Sequence, residues 1–152
     1  MNDDFAVWEE SYSVGFPPID DQHKTLVVMI NDLFANCRED GITSRAVFAR
    51  IINEAGEYAR SHFSTEEKYL LMAGYPDFQN HKKEHESFMA EIRNEFKKFR
   101  EGSASPEYLA RYLKGWLLNH IAVTDKKFEP YLVKLQSGLL PDAKALSSLT
   151  CS

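Results

Sequence analysis

Residues 78–99 read FQNHKKEHESFMAEIRNEFKKF. Phenylalanines, an isoleucine and two histidines recur there at steps of three and four: Phe78, His81, His85, Phe88, Ile92, Phe96, Phe99. That spacing puts side chains on one face of an α-helix. The same period returns three times. One stripe runs His23, Leu26, Ile30, Leu33, Phe34, Cys37; another runs Phe48, Ile51, Ile52, Ala55, Ala59, His62, Glu66; the last runs Leu109, Leu113, Trp116, His120, Val123. No stretch sustains the period-two alternation of a strand.

The punctuation between stripes agrees with four helices. Gly41-Ile42-Thr43, Gly74-Tyr75-Pro76-Asp77 and Gly102-Ser103-Ala104-Ser105-Pro106 separate them. Ser105 is placed to cap the last helix, with Pro106 in its first turn. Short connections between helices of this length make neighbours antiparallel, so the expected fold is all-α, an up-down-up-down four-helix bundle. Residues 1–18 read as an irregular arm anchored by Phe5, Trp8, Tyr12 and Phe16 and ending in Pro17-Pro18. The bundle domain is expected over 1–136. Residues 137–152, after Ser137-Gly138, form a C-terminal extension with room for one short helix.

Composition narrows the function classes. The 152 residues are 43% hydrophobic and 27% charged, which is an ordinary globular mix and excludes disorder as the main state. A chain of this length fits one domain and holds a core without disulfide or metal staples. The longest apolar run of interest, Leu26 to Ile30, is far short of a membrane span. The net charge of −5 is a poor match for nucleic acid or an anionic membrane. Two cysteines, Cys37 and Cys151, are too few for a disulfide framework. The start, Met1-Asn2-Asp3-Asp4, lacks the basic and apolar regions of a signal peptide. The expectation is a cytoplasmic monomer.

A lone histidine on an apolar stripe is usually a core residue with one hydrogen bond. Glu67 and Lys68 likewise read as ordinary solvated charge. The five histidines taken together resist that reading. In an antiparallel hairpin, residues at equal height are equidistant from the loop, because both helices rise equally per residue. His23 and His62 centre on 42.5, beside Gly41; His62 with His85, and Glu66 with His81, centre on 73.5, beside Gly74. His85 with His120 centre on 102.5 and His81 with Asp125 on 103, beside Gly102. Seven polar side chains therefore share one level inside one bundle.

Buried without a cation, five imidazoles and two carboxylates in an apolar layer are costly. Nitrogen and oxygen donors of this kind suit iron, zinc, copper or nickel. Seven residues exceed the six positions of one octahedral ion, so they point to two. With both carboxylates bridging and one bridging oxygen, eleven of the twelve positions of two such ions are filled. The single vacancy takes one small ligand.

The motifs are specific. Trp8 with Tyr12-Ser13-Val14-Gly15 and Ile19-Asp20-Asp21-Gln22-His23 form the first. His62-Phe63-Ser64-Thr65-Glu66-Glu67 form the second. Tyr75-Pro76 with His81-Lys82-Lys83-Glu84-His85, and Trp116-Leu117-Leu118-Asn119-His120 with Asp125, complete them. Over roughly residues 6–135 the chain resembles the hemerythrin family, in particular its bacteriohemerythrins. The resemblance implies two non-haem iron ions, oxo- or hydroxo-bridged, that bind O₂ reversibly. By matching positions, His81, His85 and His120 would saturate one iron. His23 and His62 would hold the other, which keeps the open site, with Glu66 and Asp125 bridging. The family's O₂ pocket falls on Leu26, Phe63, Trp116, Ile121 and Val123. Tyr69-Leu70 depart from the Leu-Met common in the family, a change expected in packing and not in ligation.

The spacing of His120 and Asp125 leaves a choice open. Five residues turn an ideal α-helix about 140° past a full turn, so the two cannot face one metal pair on such a helix. Either a π-bulge intervenes or Asp125 reaches around.

Three functions compete. The first is oxygen binding for storage, for delivery to an oxygen-consuming enzyme, or for buffering or sensing. The second is a di-iron oxidase, peroxidase or ferroxidase. Ferritin-type sites use Glu-x-x-His on two helices, and no Glu stands three residues before a histidine here. The third is a signalling module that docks a partner. The first is the expectation, with no catalytic residue and O₂ as the ligand.

Overall fold

The computed structural model describes residues 4–38 and 45–138. Four long rods build it: α1 (Pro17–Arg38), α2 (Arg45–Met72), α3 (Phe78–Glu101), and a composite fourth. The fourth begins as α4 (Pro106–Trp116), widens to a π-helix (Leu117–Thr124), tightens to a 3₁₀ turn (Asp125–Phe128) and ends as α5 (Glu129–Gln136). No strand occurs among the described residues. None of the described helices is long and apolar enough to cross a membrane.

Cross-helix pairs run in opposite directions along each neighbouring pair of rods, which makes the bundle up-down-up-down. Asp32 meets Arg50 while Gln22 meets His62. Phe48 meets Phe99 while Glu66 meets His81. Tyr108 bonds Glu91 while His120 packs on His81.

The turns follow the chemistry of their residues. Ser105 Oγ accepts from Tyr108 N–H at 3.1 Å and Pro106 opens α4. Gly102 ends α3 at φ 79, a left-handed conformation that disfavours a Cβ. The turn around Gly41 lies outside the described residues, as do 139–152 with Cys151. α5 ends at Gln136, followed by Ser137 and Gly138 at φ 75.

The arm is shorter than its aromatic anchors suggest. Pro17 and Pro18 form the first turn of α1, where a missing N–H breaks no helix bond. Asn31 holds the arm by accepting from Ala6 N–H at 2.8 Å and donating to Ala6 O at 2.7 Å. Phe5 stacks on Phe34 at 3.8 Å.

Two apolar clusters fill the bundle. The larger gathers Ile30, Leu33, Ile51, Ile52, Leu109 and Leu113, among others. The smaller gathers Val14, Phe16, Ile19, Leu70, Phe128 and Leu132, with Tyr69 packed against it. Each fully buried side chain of this kind contributes about 1.5–3 kcal/mol. One stripe position moved: Phe96 is 37% exposed and Glu95 is buried. Positions 95 and 96 straddle the line from Ile92 to Phe99, and Glu95 takes the inner side with Lys98 Nζ 3.2 Å away.

Candidate metal centre

Seven polar side chains lie close together inside the rods. His23 comes from α1, His62 and Glu66 from successive turns of α2, His81 and His85 from successive turns of α3. His120 comes from the π-helix and Asp125 from the turn after it. All seven are buried. The four-residue steps in α2 and α3 bring each pair onto one face. The five-residue step works because Asp125 N–H donates to His120 O, a π-type bond that seats one residue above the other.

The carboxylates divide their oxygens between two groups of histidines. Glu66 Oε1 lies 2.6 Å from His81 Nε2 and 3.1 Å from His85 Nε2. Its Oε2 lies 3.2 Å from His62 Nε2 and 3.5 Å from His23 Nε2. Asp125 repeats the division. Its Oδ1 lies 3.0 Å from His120 Nε2 and 3.2 Å from His81 Nε2; its Oδ2 lies 3.3 Å from His23 Nε2. Three imidazoles thus face one pair of oxygens and two face the other.

The electrostatics are those of a site short of positive charge. Burial disfavours the Glu66 carboxylate, yet His23, His62, His81 and His85 hold it well below the usual carboxylate range. Burial and the nearby Glu66 oppose ionisation of Asp125, yet His120 and His23 hold it low as well. Burial disfavours charge on His81, but Asp125 and Glu66 push it up to about 10. The same balance carries His23 up to about 9. His85 is raised against burial by Glu66 and Glu67, while burial lowers His62.

Several buried donor atoms at the centre have no hydrogen-bond partner among the described residues: Nε2 of His23, His85 and His120, Oε2 of Glu66, and both oxygens of Asp125. Leaving such atoms unsatisfied is costly. One cation on each side would satisfy them, and nitrogen with oxygen donors suits a borderline or hard metal. The residues present therefore fit a pair of metal ions. The donors Glu66, His81, His85 and His120 also cluster as one candidate cation site, and His23, His62 and Glu66 as another.

A family model described as "Hemerythrin HHE cation binding domain" matches residues 15–132. The chain belongs to the hemerythrin family. It is 34% identical over 136 residues to a bacteriohemerythrin of Pseudomonas aeruginosa, covering 90% of this chain and 87% of that one. It is 32% identical over 125 residues to the myohemerythrin of Sipunculus nudus, covering 81% and 90%. A wild-type hemerythrin crystal structure superposes with a TM-score of 0.75 at 30% identity, covering 84% of this chain and 98% of the other.

Beside this hemerythrin centre, Leu26, Phe63 and Ile121 are buried in the larger apolar cluster and Trp116 packs against it. Phe63 stacks on His85 and Trp116 on His120, each at 3.9 Å. Val123 is a correction. It is 56% exposed and does not face inward. The wide π-turn carries each residue through less of a revolution, so Val123 falls short of the face that holds His120.

The sequence reading missed the groups behind the histidines. His85 donates from Nδ1 to Glu67 Oε2 at 2.9 Å, so Glu67 is not ordinary solvated charge. His120 donates to Glu84 Oε2 and His62 to Gln22 Oε1, both at 2.6 Å. The Tyr58 hydroxyl donates to the Gln22 carbonyl. A signal was present: Gln22, Glu67 and Glu84 each adjoin a member of the seven in sequence. Each serves a histidine on the next rod, which only the packing discloses.

Proposed function

We propose that this protein binds O₂ reversibly at two non-haem iron ions and serves oxygen storage, delivery to an oxygen-consuming enzyme, or oxygen buffering or sensing. The observation that carries this reading is the division of both carboxylates between three histidines and two. It leaves unequal donor sets, of which the smaller keeps a position for a diatomic ligand. His81, His85 and His120 would hold one iron, His23 and His62 the other, and Glu66 and Asp125 would bridge. A ferrous pair held there would supply the electrons for reversible O₂ binding.

The chain's own residues support a binding role over turnover. Leu26, Phe63 and Ile121 are buried and Trp116 is half-buried, so they keep water from the centre. None of these four carries a carboxyl, imidazole or amine that could act as general acid or base on the ligand. Six of the seven donors sit on the long helices and Asp125 on the 3₁₀ turn that continues the fourth rod. The test is metal analysis with visible spectra of the reduced protein before and after O₂. Two irons per chain and a band that appears with O₂ and vanishes on its removal support the reading. A single iron, or a band that O₂ removal leaves in place, overturns it.

A further inference from the structure

The groups behind the histidines differ in charge on the two sides of the centre. On the three-histidine side His120 donates to Glu84 Oε2 at 2.6 Å and His85 to Glu67 Oε2 at 2.9 Å. On the two-histidine side His62 donates to Gln22 Oε1 at 2.6 Å. His23 Nδ1 and His81 Nδ1 have no hydrogen-bond partner among the described residues. Two anionic acceptors thus stand behind one side and one neutral acceptor behind the other.

That difference has a direction. A carboxylate accepting from Nδ1–H pulls the proton toward itself and makes Nε2 the stronger electron donor. An amide oxygen orients the ring equally well but adds no charge. Glu67 side chain is 21% exposed and Glu84 side chain 48%. Solvent therefore screens Glu84 more than Glu67. Both carboxylates border surface grooves, Glu84 one of about 490 Å³ and Glu67 one of about 340 Å³, so the difference between them rests on their side-chain exposure.

We infer that Glu67 and Glu84 are positioning residues that bias the three-histidine side toward the ferric state, and that Gln22 leaves the two-histidine side easier to reduce. The inference rests on the di-iron reading. Its redox step is one electron from an added reductant converting one ferric ion to ferrous. The Nδ1 proton stays in its hydrogen bond, and any proton the bridging oxygen takes up comes from solvent.

Three near-isosteric exchanges separate charge from shape: Glu67→Gln, Glu84→Gln and Gln22→Glu. Each keeps an oxygen that can accept from Nδ1–H. Metal analysis comes first. A wild-type protein that lacks two irons per chain defeats the di-iron reading itself. With two irons bound, the diferric forms are titrated with dithionite and followed by visible absorbance. Glu67→Gln and Glu84→Gln are expected to raise the midpoint of the second electron, which enters the three-histidine side, and Gln22→Glu to lower that of the first, which enters the two-histidine side. A roughly tenfold change in the ferric-to-ferrous ratio corresponds to about 59 mV for one electron. Glu67→Gln is expected to move it more than Glu84→Gln. Should one exchange cost iron, the other two decide. Midpoints that stay at the wild-type value, or that all move the same way, overturn the inference and leave these residues only orienting the rings.

Discussion

Asp125 donates its backbone N–H to the carbonyl oxygen of His120, and their side chains meet again with Oδ1 3.0 Å from Nε2. A π-turn is an α-turn with one extra residue, so its removal restores the i→i+4 bond and keeps the later residue near the same face. Deleting Val123, which is exposed, is therefore expected to leave the helix continuous and iron content unchanged. Metal analysis and far-UV circular dichroism check this. Iron lost from a protein of normal helicity would show that the π geometry itself is required.

The iron-free protein is expected to lose stability as pH rises. His23 is held at about 9 and His81 at about 10, above their unfolded value near 6.5. The stabilisation from these protons is complete below about pH 6.5 and is lost as pH climbs through 9 and 10. His62, which burial lowers, opposes this only on the acid side. Glu66 and Asp125 are depressed, so their contribution fades as pH falls below the normal carboxylate range. Thermal melts should show the iron-free protein most stable between about pH 5 and 6.5. Iron replaces the imidazole protons, so the loaded protein should not share the alkaline decline.

The two histidine groups should respond differently to truncation. His62→Ala leaves one imidazole, His23, opposite Glu66 Oε2. It is expected to lower iron to about one ion per chain and to abolish the spectral response to O₂. His85→Ala leaves His81 and His120 on their side and is expected to weaken that iron without abolishing it. Normal reversible O₂ uptake by His62→Ala would contradict the assignment.

Stability and metal binding should separate in the larger cluster. Leu113 is fully buried there and does not belong to the polar layer. Leu113→Ala is expected to cost about 2–5 kcal/mol in denaturant unfolding through lost burial and a residual cavity. Iron content should stay at the wild-type level in the folded protein.

The helices, their antiparallel order and the level of the seven donors were legible in the sequence. Equal rise per residue turns positions into heights, so His23, His62, His85 and His120 had to meet once the turns fell at glycines. Side-chain chemistry alone showed that imidazoles and carboxylates buried at one level call for cations. The tertiary structure decided what periodicity leaves loose. A period of three or four assigns a residue to a face only within about one position, so Glu95 lies inside where Phe96 was expected. It turned Val123 outward, because the choice of a π-turn depends on packing around His120 and Asp125. It also chose the partners across helices. Glu84 adjoins His85 in sequence and yet bonds His120, because a carboxylate on one rod reaches the ring presented by the next, and that distance is written only in how the rods pack.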